Sequence, residues 1–167
     1  CYLDMEISAL QYAVDHGAKV ANASFGGYYG GYQPEADAIQ AAGNAGLLYV
    51  AAAGNNGSSN DASPFYPASY PLDNIISVAA TTPSRGLASF SNYGFGTVLT
   101  AAPGKGILST MLTSGSLSNA SGYGTLSGTS MAAPQVSGAA ALLWAEHPDW
   151  TMQQVRMRLL TKIGRAH

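Results

Sequence analysis

Cysteine is almost missing: Cys1 is the only one in 167 residues, which rules out an internal disulfide and any cysteine-based metal cluster. The redox compartment stays open. Charge is scarce too. Lys, Arg, Asp and Glu make up 10% of the chain, with a formal net charge of -2, whereas about a quarter charged is usual. Neither nucleic acid nor an anionic membrane is therefore an expected partner. No stretch of eighteen consecutive apolar residues is present, so no membrane-spanning helix is expected. The opening residues CYLDMEISAL lack an initiating Met and a basic segment followed by an apolar one. They read as a cut end rather than a secretory leader. Small and apolar residues dominate instead: a hydrophobic share of 47% suffices for one globular domain with its own core.

Helix and strand signals alternate. Ile7, Leu10 and Val14 recur at helical spacing until Gly17, and KVANAS from Lys19 to Ser24 then reads as a short buried strand. Pro34 opens a second helix that runs through Ala45, and Leu47 to Ala53 (LLYVAAA) is a continuous apolar strand. A long loop from Gly54 to Asp73, dense in Asn, Ser, Gly and Pro, leads to a strand at Ile75 to Ala80. That length suggests function rather than mere connection. Shorter strands are expected at Val98 to Ala101 and Ile107 to Leu112, with the polar run Thr113 to Ser121 as a hairpin tip or exposed loop. A helix apolar on nearly every side runs from Ser130 to Glu146, with Pro134 just inside it, and a last helix starts at Thr151, where Thr-Met-Gln-Gln fits a capping box. The pattern predicts an α/β layer structure around a mostly parallel sheet. Right-handed crossovers then bring the segments that follow the strands, Ser24-Phe25-Gly26-Gly27 and Gly54-Asn55-Asn56-Gly57, to one edge.

Ser130 stands between a small flexible run and the apolar helix. As a structural residue it is a good N-cap, with Pro134 tolerated in the first turn. As a chemical residue it offers a hydroxyl nucleophile whose own N–H, with the positive helix end, faces a developing oxyanion. Asn55 has a carboxamide of suitable reach for a second donor; beside Gly54 it is equally read as a turn residue.

The blocks GAKVANASFGG, YVAAAGNNG and GTSMAAPQVSGAAALL, in their order and spacing along the chain, resemble the subtilisin-like serine peptidases, the subtilases. The likeness covers nearly the whole chain, which corresponds to about the C-terminal half of that family's catalytic domain. The resemblance implies a three-layer subtilisin-like α/β domain whose N-terminal part is missing. Residues 1–162 are its partial catalytic domain, and 163–167 form a non-native or truncated tail. It makes Ser130 the nucleophile and Asn55 the side-chain donor of the oxyanion hole. Ser24, Phe25 and Gly26 match the segment that pairs with an extended polypeptide substrate, and Ala52, Ala53 and Gly54 match a wall of the main specificity pocket, left open by small side chains. It also implies secretion and a monomeric intact parent.

Two departures limit that resemblance. The family's Asp and His blocks lie upstream of the first matching block. Nothing around Asp4, Asp15 or His16 resembles them, while His147 reads as a helix-ending or surface residue and His167 is terminal. The 167 residues alone are therefore expected to be inactive. Many relatives hold calcium near the region matching Pro67 to Thr82; here Thr81-Thr82-Pro83 replace the usual acidic residue. No metal or other cofactor is predicted, calcium remaining an option for the intact family domain. The competing function is a non-catalytic module that binds a peptide or polymer through Tyr28, Tyr29 and Tyr32, with Tyr66 and Tyr70. Other serine enzymes fit less well, because Ser130 lies in Gly-Thr-Ser-Met-Ala rather than Gly-x-Ser-x-Gly and no Ser-x-x-Lys occurs.

Overall fold

The computed structural model describes residues 3–115 and 118–162. In chain order its elements are α1 (Leu3–Asp15), β1 (Val20–Ala23), α2 (Gln33–Asn44), β2 (Leu48–Ala52), β3 (Ile75–Thr81), β4 (Thr100–Pro103), β5 (Ile107–Thr110), β6 (Tyr123–Leu126), α3 (Thr129–Glu146) and α4 (Met152–Lys162). Strands β1 to β4 pair in that order and all run parallel.

The apolar run at β2 is explained by burial on both faces. Leu48, Val50 and Ala52 point one way, with Ile76, Val78 and Ala80 of β3, onto α3 and α4. Leu47, Tyr49 and Ala51 point the other way, toward Leu10 of α1 and Ile39 and Ala42 of α2. A strand covered on both sides has no use for polar alternation, and the outcome is the expected three-layer α/β architecture. Helix α3 lays Ala132, Ala133, Val136 and Ala140 on the sheet, where small side chains permit close approach.

The start of α3 differs from the sequence expectation. Its N-cap is Gly128, without a side-chain cap bond, and the helix begins at Thr129. Ser130 is the second helical residue and not the cap. Pro134 therefore falls in the second turn, where its missing N–H would leave the Ser130 carbonyl without its usual i+4 donor. The Ser24 hydroxyl donates to that carbonyl instead, at 2.9 Å. A helix defect and a contact with the end of β1 thus share one atom. At α4 the expected capping box is present: Thr151 Oγ1 accepts from the Gln154 N–H at 3.3 Å, and Gln154 Oε1 accepts from the Thr151 N–H at 2.8 Å.

Strand β4 lies two residues later than expected. Val98 is buried beside Ala53 and Ala79 ahead of the strand, so its apolarity reflects packing rather than pairing. Strand β5 is shorter than expected and pairs antiparallel with β6. The polar run joins them as a hairpin connection, with residues 116 and 117 outside the described set. The tail at 163–167 also lies outside the described residues.

Candidate active site

Because β1 and β2 are parallel neighbours, with Ala23 opposite Ala51, the segments after them leave the same edge of the sheet. The start of α3 reaches that edge by a close backbone approach. The Gly128 N–H donates to the Gly104 carbonyl at 2.8 Å, and a Cβ at Gly104 would stand 2.8 Å from the Gly128 oxygen and 2.5 Å from the Ala80 Cβ. Only a glycine after β4 lets residue 128 arrive there.

At this edge Asn55 and the first turn of α3 are fastened together. Asn55 Oδ1 accepts from the Thr129 N–H at 2.8 Å and from the Thr129 hydroxyl at 3.0 Å. Thr129 Oγ1 also accepts from the Gly54 N–H at 3.2 Å. With its oxygen so engaged, the carboxamide must present Nδ2 as its outward group. That nitrogen lies beside Gly128: a Cβ there would be 3.5 Å away. The carboxamide thus sits against the peptide next to Ser130, in the first turn of a helix whose initial N–H groups precede the intrahelical ladder and carry the positive end of its dipole. Ser130 itself is half-buried, and its hydroxyl donates to the Ser24 carbonyl at 3.0 Å.

The residues expected to bind substrate gather at the same edge, at the ends of β1 and β2. Phe25 and Gly26 are exposed, and Gly27 is bridged to Tyr66 by paired backbone bonds of 2.8 and 2.9 Å. Ala52, Ala53 and Gly54 are all buried. The Phe65 ring fills the space between the two strand ends: a Cβ on Gly26 would lie 2.4 Å from its Cε1, and one on Gly54 would lie 3.1 Å from its Cδ2. Tyr28 meets that ring edge-on, with centroids 5.1 Å apart. An aromatic ring from the long loop thus stands against both strand ends.

Three supporting residues escape the sequence reading. Phe65 is one and Thr129 another. The third is Asn92, fully buried, whose Oδ1 accepts from the Asn56 N–H at 2.8 Å and whose Nδ2 donates to Asn60 Oδ1 and the Tyr28 hydroxyl, each at 2.9 Å. It holds the turn that carries Asn55. A buried Asn in the loop SFSNYG has no period or motif to announce it. Its type alone hints at a turn.

The described histidines lie elsewhere. His16 stacks on Tyr12, and its Nδ1 is 2.8 Å from the Tyr12 carbonyl oxygen. His147 stacks on Trp150, with centroids 4.0 Å apart. Neither hydrogen-bonds Ser130, and His167 is outside the described residues. Among the described residues no three His, Cys, Asp or Glu side chains gather as a metal cluster. Thr82 Oγ1 is engaged with Ser84 and donates to the Gly86 carbonyl. Of the tyrosines, Tyr29 and Tyr70 turn their hydroxyls inward to Glu35 at 2.6 to 2.9 Å. They do not present a row of free hydroxyls to a polymer.

Comparison with known proteins agrees with this fold. A family model described as Peptidase_S8, the subtilase family, matches residues 1–167. Subtilisin amylosacchariticus of Bacillus subtilis subsp. amylosacchariticus is 42% identical over 154 residues, 92% of this chain and 38% of that protein. Subtilisin of Bacillus pumilus is 41% identical over 154 residues, 92% of this chain and 52% of that one. The crystal structure of a cold-adapted subtilisin-like serine proteinase superposes with a TM-score of 0.81 at 32% identity, covering 96% of this chain and 55% of that one. This chain spans roughly two fifths to just over half the length of these relatives.

Proposed function

The chain belongs to the subtilase family, and from that premise we propose that it carries the nucleophile and oxyanion side of a serine endopeptidase centre. The observation that supports this most is the tie between Asn55 Oδ1 and the N–H of Thr129, which sets one hydrogen-bond donor beside the peptide that leads into Ser130. In the proposed reaction Ser130 Oγ attacks the carbonyl carbon of an extended polypeptide. The hydroxyl proton passes to a His, oriented by an Asp, both supplied by chain outside these 167 residues. The carbonyl oxygen becomes negative and receives bonds from Asn55 Nδ2 and the Ser130 N–H. As the C–N bond breaks, the same His returns the proton to the leaving amine, and water then releases the acyl group from Ser130. No step needs a metal.

Ser130 Oγ donates to the Ser24 carbonyl, the bond of a resting hydroxyl, and among the described residues neither His16 nor His147 bonds it. The purified 167-residue chain is expected to show no measurable peptide cleavage and no reaction with a fluorophosphonate probe. The complete protein is expected to react at Ser130. Cleavage by the isolated chain, or a complete protein that the probe leaves untouched, would contradict the assignment.

The substrate backbone lies along Ser24, Phe25 and Gly26, and the side chain on the acyl side of the scissile bond faces Ala52, Ala53 and Gly54. With Phe65 filling that space, the proposed preference is for a small side chain. Phe65→Ala in the complete protein should raise kcat/KM for a peptide with Phe at that position, relative to one with Ala, by about tenfold or more, since each added methylene group in an apolar pocket is worth roughly 1–3 kcal/mol. Taking the ratio of two substrates on one variant cancels any loss of folded protein. An unchanged ratio would remove Phe65 from the pocket.

Export and action as a monomer outside the cell belong to the same proposal. The low charge and the Ser-, Asn-, Gly- and Tyr-rich composition support it, and no described helix is long and apolar enough to cross a membrane.

A further inference from the structure

Behind Asn55 lies a buried carboxamide that the proposed reaction does not touch. Asn92 and its neighbour Asn60 are both fully buried. A carboxamide has two N–H donors and an oxygen that accepts two bonds, and at Asn92 all four positions are used. Oδ1 accepts from the Asn56 N–H at 2.8 Å and from the Ser58 N–H at 3.3 Å. Nδ2 donates to the Tyr28 hydroxyl and to Asn60 Oδ1, each at 2.9 Å. Because a backbone N–H can only donate, the oxygen must face residues 56 and 58, and the amide has one orientation. The backbone adds a further bond, from the Asn92 N–H to the Gly54 carbonyl at 2.9 Å.

The Gly54 carbonyl belongs to the peptide that enters Asn55, and the Asn56 N–H belongs to the peptide that leaves it. Both end on Asn92. Gly54 makes this approach possible, since a Cβ there would stand 2.4 Å from Asn92 Nδ2. Asn60 extends the network to the end of β2, where its Nδ2 donates to the Ala53 carbonyl at 2.9 Å. Tyr28 extends it the other way, two residues beyond Gly26 on the loop after β1.

The bond from Thr129 to Asn55 Oδ1 fixes how the carboxamide is turned, but where it stands depends on its backbone. A donor displaced by about 1 Å from the reacting atoms forfeits up to 10²-fold in rate. We propose that Asn92 is a positioning residue for the reaction, one that grips the peptides on both sides of Asn55, sets Asn55 Nδ2 at the oxyanion and links that setting through Tyr28 to the substrate segment. This inference rests on the peptidase reading above. Asn92 touches no reacting atom in it, so its whole effect on rate passes through Asn55.

A double-mutant cycle in the complete protein separates such a role from plain support of the fold. With kcat measured per serine titrated by a fluorophosphonate, unfolded protein drops out of the count. Asn92→Ala should lower kcat by about 10- to 100-fold when Asn55 is present. In an Asn55→Ala background the same substitution should change kcat by less than about twofold, because the group it positions is gone. Tyr28→Phe removes one of the four partners at a residue 44% exposed, so it leaves no cavity and keeps the cycle measurable if Asn92→Ala folds poorly. Its fall in kcat should be smaller, about two- to tenfold, and should likewise vanish without Asn55. Equal falls in both backgrounds would make Asn92 a structural residue and overturn the inference while leaving Asn55 its role. Unchanged kcat in both variants would overturn it as well, and an effect of Asn92→Ala without one of Tyr28→Phe would remove the link to the substrate segment. Unimpaired kcat in Asn55→Ala alone would overturn the donor reading itself, and this inference with it.

Discussion

Replacing Ser130 with alanine in the complete protein is expected to abolish fluorophosphonate labelling and to lower kcat by about 10⁶-fold, the size of the loss that removal of the nucleophilic serine causes in subtilisin itself. In the proposed reaction the atom lost is the one that forms the acyl bond, while the proposed oxyanion donors and substrate contacts remain and would support a residual rate. The fold changes little. Ser130→Ala removes the 3.0 Å bond to the Ser24 carbonyl, worth about 1 kcal/mol, while the reciprocal bond from Ser24 to the Ser130 carbonyl at 2.9 Å uses a backbone acceptor that alanine keeps. A melting temperature close to that of the unsubstituted protein, with activity gone, is the expected pair of results. Activity that persists in Ser130→Ala would remove this residue from the reaction.

Asn55→Asp separates the bond that Asn55 makes to Thr129 from the donor role proposed for it. A carboxylate keeps the acceptor that Thr129 uses through its N–H and hydroxyl, at 2.8 and 3.0 Å, and negative charge is favourable at a helix N-terminus. Stability should therefore hold or rise slightly. The donor is gone, however, and a negative group now faces the point where the substrate oxygen becomes negative. The expected loss in kcat is at least 10²–10³-fold, or about 2.7–4 kcal/mol, the range established for the matching asparagine of subtilisin. Asn55→Ala should lose both duties, with about 1 kcal/mol of stability for the missing acceptor at the helix start. If Asn55→Asp folds as well as the parent and keeps its kcat, Asn55 is a helix cap and nothing more.

The legible features of the sequence are those carried by period and by block. The unbroken apolar run at 47–53 reports a strand buried on both faces, and Thr151 with Gln154 reports its capping box through residue type and spacing. The three family blocks carry the subtilase assignment, from which the roles proposed for Ser130 and Asn55 follow. Less legible are features fixed by long-range packing. Gly128 and not Ser130 caps α3 because Asn55, 74 positions away in the chain, takes the Thr129 N–H. Phe65 sits in a loop whose composition suggests turns, yet its ring closes the space between Gly26 and Gly54. Glu6 falls beside the apolar stripe of α1, where helical periodicity assigns a charged residue to solvent. It is buried because Tyr49 of β2 meets it from another element. Strand β6 is hidden for the opposite reason: Tyr123, Thr125 and Leu126 are exposed in a two-stranded hairpin, so no burial pattern marks them.

A crystal structure of the complete protein with a peptide phosphonate bound is the most direct test of whether residues 55 and 130 serve one reacting atom. The account predicts phosphorus bonded to Ser130 Oγ, with one phosphoryl oxygen about 2.7–3.1 Å from both Asn55 Nδ2 and the Ser130 nitrogen. Phosphorus attached to another side chain, or a phosphoryl oxygen that Asn55 does not reach, would contradict it.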